Sequence, residues 1–177
     1  MAVRVEEVAN DVITYVRARF ATQLASVATA ATTAGLPAYP LPYPRNESYL
    51  IGEPSRYRVY QAPAVLVVPL RSDRTKDPTP QAEGITDFQV VSMLLVLLIE
   101  GRNEEELTRI CMRYAQAASE SVHNADVGTS ANYTAVVYVN GIDYGVTFTR
   151  DQAGQRVFRK DATLELRIHY RGTFTMG

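Results

Sequence analysis

A strand that must be covered on both faces is the strongest constraint on this chain. From Phe88 to Ile99 nearly every residue is apolar (Phe88, Val90, Val91, Met93, Leu94, Leu95, Val96, Leu97, Leu98, Ile99). A half-buried strand would alternate with polar residues, so this one belongs at the centre of a sheet. It is also well short of the roughly 20 apolar residues that a membrane-spanning helix needs. The chain then turns at Glu100 and Gly101 into Asn103, whose side chain is placed to cap a helix, with Glu106 three residues on as the capping-box partner. In that helix Leu107, Ile110, Cys111, Tyr114, Ala117, Ala118 and Val122 form one apolar stripe, and Glu104 to Glu106 occupy the first turn, where the helix dipole favours acids.

An earlier helix is expected over about Val3 to Ala31. Val5, Val8, Val12, Tyr15, Val16, Phe20, Leu24 and Val27 recur at spacings of three and four, and Gly35 followed by Pro37 supplies the stop. Between Gly35 and Pro54 come Pro37, Pro40, Pro42, Pro44 and Pro54, interleaved with Tyr39, Tyr43 and Tyr49. This composition favours extended backbone and withholds ladder donors, so the segment reads as a stiff Pro/Tyr-rich arm. Connections this long are usually functional, disordered or ordered against a partner, and the tyrosines favour the partner over a floppy linker.

Tyr57 to Leu70 is expected to be a strand, bounded by Pro63 and Pro69, that pairs with the strand beginning near Thr86. Arg71 to Gly84 carries Arg71, Asp73, Arg74, Lys76, Asp77 and Glu83 with Pro78 and Pro80, and reads as a projecting polar loop. It is either solvated or reaches a neighbouring subunit or a channel. After a loop at Asp126 to Ser130, Tyr133 to Val139 is a strand, Asn140-Gly141 is a hairpin signal, and Ile142 to Thr149 returns. A second turn at Asp151 to Gln155 leads to Phe158, Lys160, Ala162, Leu164, Leu166, Ile168 and Tyr170, which alternate with polar residues. The fold class is therefore α+β: a mostly antiparallel sheet flanked by two main helices, with a long extended arm. One domain spans 1–177, with the arm at about 35–54 and the loop at about 71–84.

Composition excludes more than it suggests. A net charge of -1 gives no overall attraction to nucleic acid or anionic lipid. The single cysteine, Cys111, has no intramolecular disulfide partner, and its place on the apolar stripe suits a small buried hydrophobe in a reducing compartment. The N-terminus lacks the basic-then-apolar order of a signal peptide, which leads to the expectation of a soluble protein used without secretion.

Catalytic patterns are missing. His123 and His169 have no metal-ligand spacing to Cys111 or to each other; His123 reads as a helix C-terminal residue satisfying carbonyls and His169 as an exposed strand residue. Cys111 and His123 are separated by about 18 Å of helical rise and cannot form a catalytic pair. The glycines are scattered at turns, and no phosphate loop, nucleophile elbow or metalloprotease helix occurs. Neither an enzyme nor a cofactor or metal site is expected. Arg159, Arg167, His169 and Arg171 share the polar face of the last strand with Asp161 and Glu165. That stripe reads as a solvated face or as ion pairs between subunits, with passing contact to a phosphate backbone as the alternative.

The long N-terminal helix, the arm ending in Tyr49-Leu50-Ile51-Gly52-Glu53-Pro54, and the Ala62-Pro63-Ala64-Val65 lead-in to a strand carry a resemblance. So do the apolar strand running into Asn103-Glu104-Glu105-Glu106 and the closing alternation through Leu164, Leu166, Ile168 and Tyr170. Together they resemble the tail terminator and tail completion (neck) proteins of tailed bacteriophages over most of the chain. The resemblance implies a sheet flanked by helices in a structural virion protein, assembled in the host cytoplasm and located in the tail or neck. It implies a self-assembled ring, a hexamer in the family, that caps the tail tube, stops its polymerisation and meets the head-tail connector or stopper, with DNA passing transiently through the lumen. No membrane partner is implied. Another head-tail joining or tail tube subunit is the neighbouring alternative.

In this reading Tyr39, Tyr43 and Tyr49 are the interface anchors of the arm, and Arg71, Arg74 and Lys76 the contacts of the loop. A closed ring needs two different patches on each subunit, and arm and loop are the candidates. Two rivals predict other behaviour. An enzyme or small-ligand domain needs a pocket with convergent polar groups, and a nucleic-acid module needs steeply salt-dependent binding.

Overall fold

The computed structural model describes residues 2–52, 62–76, 85–128, 133–152 and 154–174. Helix α1 (Ala2–Thr33) leads through the arm and a single 3-10 turn at Asn46–Ser48 to β1 (Tyr49–Ile51), β2 (Ala64–Lys76) and β3 (Ile85–Gly101). Helix α2 (Glu104–Val122) follows, then β4 (Ala125–Asp126), β5 (Tyr133–Tyr144), β6 (Phe148–Gln152) and β7 (Gln155–Phe174). The strands form one sheet in the order β1-β2-β3-β7-β5-β4, with β6 continuing alongside β7. Among the described residues only β1 and β2 run parallel, and the other pairs are antiparallel. The fold is α+β, as expected.

β3 and β7 are the spine. They pair from Ile85 opposite Phe174 to Gly101 opposite Phe158. On one face Val91, Met93, Leu95, Leu97 and Ile99 of β3 join Leu164, Leu166 and Ile168 of β7 under the two helices. α1 contributes Val8, Val12, Val16, Phe20, Leu24 and Val27, and α2 contributes Leu107, Cys111, Tyr114 and Ala118. Phe20 and Tyr114 meet at the helix-helix contact, their ring centroids 5.7 Å apart. The alternate residues of β3 point the other way, where Val96 and Leu98 are buried with Ala64 and Leu66 in a second, smaller cluster. The apolar run of β3 is thus buried on both faces over Leu95 to Ile99, while Phe88, Val90 and Leu94 on the second face are half-buried.

The helix ends follow their local chemistry. Gly35, in the left-handed region at φ 75, ends α1; its N–H donates to the Thr32 carbonyl and that of Leu36 to the Ala31 carbonyl, each at 3.0 Å. This pair of bonds is the Schellman arrangement, which satisfies carbonyls a bare helix end would strand. The Asn103 side chain accepts from the Glu106 N–H at 3.1 Å, as the capping pattern predicts.

Three expectations are corrected. Arg71 to Lys76 is not loop: β2 continues to Lys76, each residue paired with β3, after a bulge between Pro69 and Arg71. The polar side chains there misled because the pairing is imposed by the β3 backbone, which their polarity does not announce. Residues 77–84 lie outside the described residues, as do 57–61 of the expected strand. Asn140-Gly141 is not a hairpin but a bulge between Val139 and Gly141, and β5 runs on to Tyr144. The partner strand decides the outcome there. β7 keeps Ile168, Leu166 and Leu164 in register with Val137, Val139 and Ile142, and this long-range apolar pairing overrides the local turn preference. Finally, Asp126 of the expected loop belongs with Ala125 to a short strand on β5, and the irregular backbone begins at Val127.

Candidate functional site

The arm is ordered by its own chain. The Arg113 guanidinium of α2 donates to the Pro37 carbonyl at 2.6 Å and lies over the Tyr39 ring, 5.0 Å from its centroid. The Tyr114 hydroxyl donates to the Pro42 carbonyl. Tyr39, Leu41 and Tyr49 pack against the main core. A proline-rich backbone donates few hydrogen bonds but accepts them, and α2 supplies the donors. Tyr39 and Tyr49 are therefore half-buried against the body, while Tyr43 remains 54% exposed. Burial raises the pKa of Tyr114, with Tyr43 and Tyr49 adding to the effect, and burial also raises that of Tyr49.

Of the expected loop contacts, Arg71 begins the outer half of β2 and pairs with Asp73, Nε to Oδ1 at 2.7 Å. Arg74 and Lys76 follow in register with Gln89 and Asp87 of β3. The structure brings the tyrosines together around Tyr114 and sets Arg71, Arg74 and Lys76 along one strand. It does not join the two groups into one site.

Nucleophile chemistry finds no support at the cysteine. Cys111 is buried, and burial pushes its thiol up to about 11, with Lys160 lowering it and Asp161 raising it. A thiol held protonated is a poor nucleophile. Lys160 is buried beside it and donates from Nζ to the Gly145 carbonyl at 2.8 Å. His123 does not satisfy helix carbonyls with its ring, as expected above; its Nδ1 accepts from the Val139 N–H at 3.2 Å and so closes part of the β5 edge. Among the described residues no group of His, Cys, Asp and Glu side chains could hold a metal ion, and no helix is long and apolar enough to cross a membrane.

The helix-free face of the sheet carries a different set. Its rows run Val90-His169-Val136, Ser92-Arg167-Tyr138 and Phe88-Arg171-Thr134 across β3, β7 and β5. The His169 ring meets Phe88 edge-on at 5.8 Å and Tyr138 at 5.0 Å. Further down the same face of β7 lie Glu165 and Asp161 and then Arg159, so acids interrupt the bases along the strand and leave no strong net sign.

Two apolar patches stand at the sheet's opposite edges, and sequence reasoning missed both. At the β5–β6 corner Tyr144, Val146 and Phe148 are 41%, 69% and 60% exposed. Gly145 makes the corner: its N–H donates to the Asp161 carbonyl at 3.0 Å, and a Cβ there would collide with the Asp161 carboxylate. At the other edge a cleft of about 450 Å³ lies between the start of α1 and β1–β2, lined by Val5, Glu6, Ile51, Pro69, Leu70, Arg71 and Ser72. The β2 bulge turns Leu70 out to 59% exposure, and Ile51 is 38% exposed. A third apolar groove, about 530 Å³, runs between the end of α1 and α2 past Leu36 and Met112. No signal separates an exposed valine or phenylalanine from a core one in a single sequence.

No protein-family model matches the chain, and no curated protein matches it by sequence. Among solved structures it is similar to a chain of the virion of a native gene transfer agent (GTA) particle, at 16% identity and a TM-score of 0.34, over 88% of this chain and 93% of that one.

Proposed function

We propose that this chain is a structural virion subunit, and specifically a ring-forming tail terminator of the neck. One observation carries the reading: the helix-covered core closes on itself, while exposed apolar side chains stand at two opposite edges of the sheet, in addition to those along the α1–α2 groove. Exposed apolar patches on a chain with a complete core mark contact surfaces. Two unlike patches on opposite edges suit the head-to-tail contacts from which rings close. The long β2–β3–β7 ladder, continuing to Lys76, Ile85 and Phe174, provides a stiff projection toward a stacked ring or tube. The mixed charges on the helix-free face favour brief passage of DNA over tight binding, because neighbouring acids offset the attraction of Arg167 and Arg171 for phosphate.

In this role the protein has no catalytic duty; its partners are further copies of itself, a tail tube protein and a head-tail connector. The test is a tube-elongation assay read by electron microscopy. Added to polymerising tail tube protein, the chain is expected to shorten tubes and sit as a ring at one end. Unchanged tube lengths with bare ends contradict the terminator role, and polymerisation of the chain itself into tubes identifies a tube subunit instead.

A further inference from the structure

We infer that copies of this chain join by seating the Tyr144-Val146-Phe148 corner of one in the Ile51-Leu70 cleft of the next. The inference deepens the ring reading above and rests on it. Strand order places the two patches on opposite sides of one rigid sheet, β1–β2 on one side and β5–β6 on the other. A single copy cannot bring them together.

Their shapes match, and Arg71 offers a cationic contact at the cleft, which Glu6 also lines. The corner is convex, held out by the tight Gly145 approach to Asp161, and its apolar side chains are among the most exposed in the molecule. The cleft is concave and apolar, and its volume of about 450 Å³ falls within the ~300–1,000 Å³ typical of sites that enclose a ligand, room enough for two apolar side chains. Arg71 stands on the cleft rim, and exposed Asp143 adjoins Tyr144 on the corner. The Arg71 Nε donates to Asp73, and a guanidinium has five N–H donors, so it can also donate to a second carboxylate from a neighbour.

Register sets the geometry of the contact. The cleft residue Pro69 lies opposite Met93, which pairs with Leu166, whereas the corner lies level with Ala162 to Arg159 on β7. At about 3.4 Å per residue the patches differ in height by about 14–24 Å. The strands must therefore incline steeply to the plane of the ring for one copy's corner to reach the next copy's cleft.

Separate Leu70→Cys and Val146→Cys variants, each probed with a short bis-maleimide, test this directly. Both positions are exposed, and Cys111 is fully buried and contributes no background. Neither variant alone is expected to cross-link, an equal mixture is expected to give one covalent dimer, and the double variant a ladder ending at the ring. Phe148→Asp and Leu70→Asp are each expected to abolish the ring, and their mixture to stop at a dimer through its one intact contact. Cross-linking of Leu70→Cys with itself overturns the inference in favour of a two-fold contact. A wild-type ring that yields no mixed cross-link overturns the inference while leaving the ring reading intact; the absence of both ring and cross-link overturns both.

Discussion

Phe20 and Phe148 show two uses of one residue type. Phe20 is fully buried beneath the helices, its ring against Tyr114, whereas Phe148 stands 60% exposed on the β5–β6 corner. The first holds the protomer together, because removing a ring of that size from water stabilises a fold by several kcal/mol and leaves a cavity when deleted. The second contributes little to the protomer, since most of its surface stays wet. The helix-covered core is closed, whereas the sheet edges leave apolar side chains in water.

Substitutions sharpen or break that contrast. Phe20→Ala is expected to cost about 3–5 kcal/mol in denaturant unfolding, enough to threaten the fold. Tyr133→Phe removes the hydroxyl that donates to Asp11 across the α1–β5 contact, and about 1–3 kcal/mol should be lost in thermal unfolding. The Cys111 thiol gives a pH signature of the closed core. Its ordinary value of 9.0 is raised to about 11 chiefly by burial, so the unfolded chain loses the proton first. Stability present below pH 9 should then fall as pH rises toward 11, by about 1–3 kcal/mol, and Cys111→Ala should flatten the Cys111 part of that decline in unfolding titrations. The smallest effect on the protomer is expected at the corner. Phe148→Ala should change its stability by within about 0.5 kcal/mol while weakening self-association in sedimentation velocity. A large loss of protomer stability from Phe148→Ala would break the contrast.

The same contrast governs what the sequence reveals. The stripes of α1 and α2, the Asn103 cap, the Gly35 stop, the doubly covered β3 and the alternation of β7 were legible because each is a local pattern with a local cause. Arg71 to Lys76 and Asn140-Gly141 were misread because β3 and β7 impose their register from far along the chain. The arm looked free because nothing in its own residues announces Arg113 and Tyr114, whose donors hold Pro37 and Pro42. Of the expected interface residues, Tyr43 is well exposed and Arg71 borders the cleft, while Tyr39 and Tyr49 serve the fold. Ile51, Leu70, Val146 and Phe148 could not be picked out, since exposure is a property of the finished fold.

Native mass spectrometry across a dilution series, up to millimolar protein, tests the central claim most directly. The wild-type chain should show a closed multiple of its own mass that Phe148→Asp reduces to single chains without unfolding them. A single chain at every concentration, or a multimer indifferent to Phe148→Asp and Leu70→Asp, would contradict it.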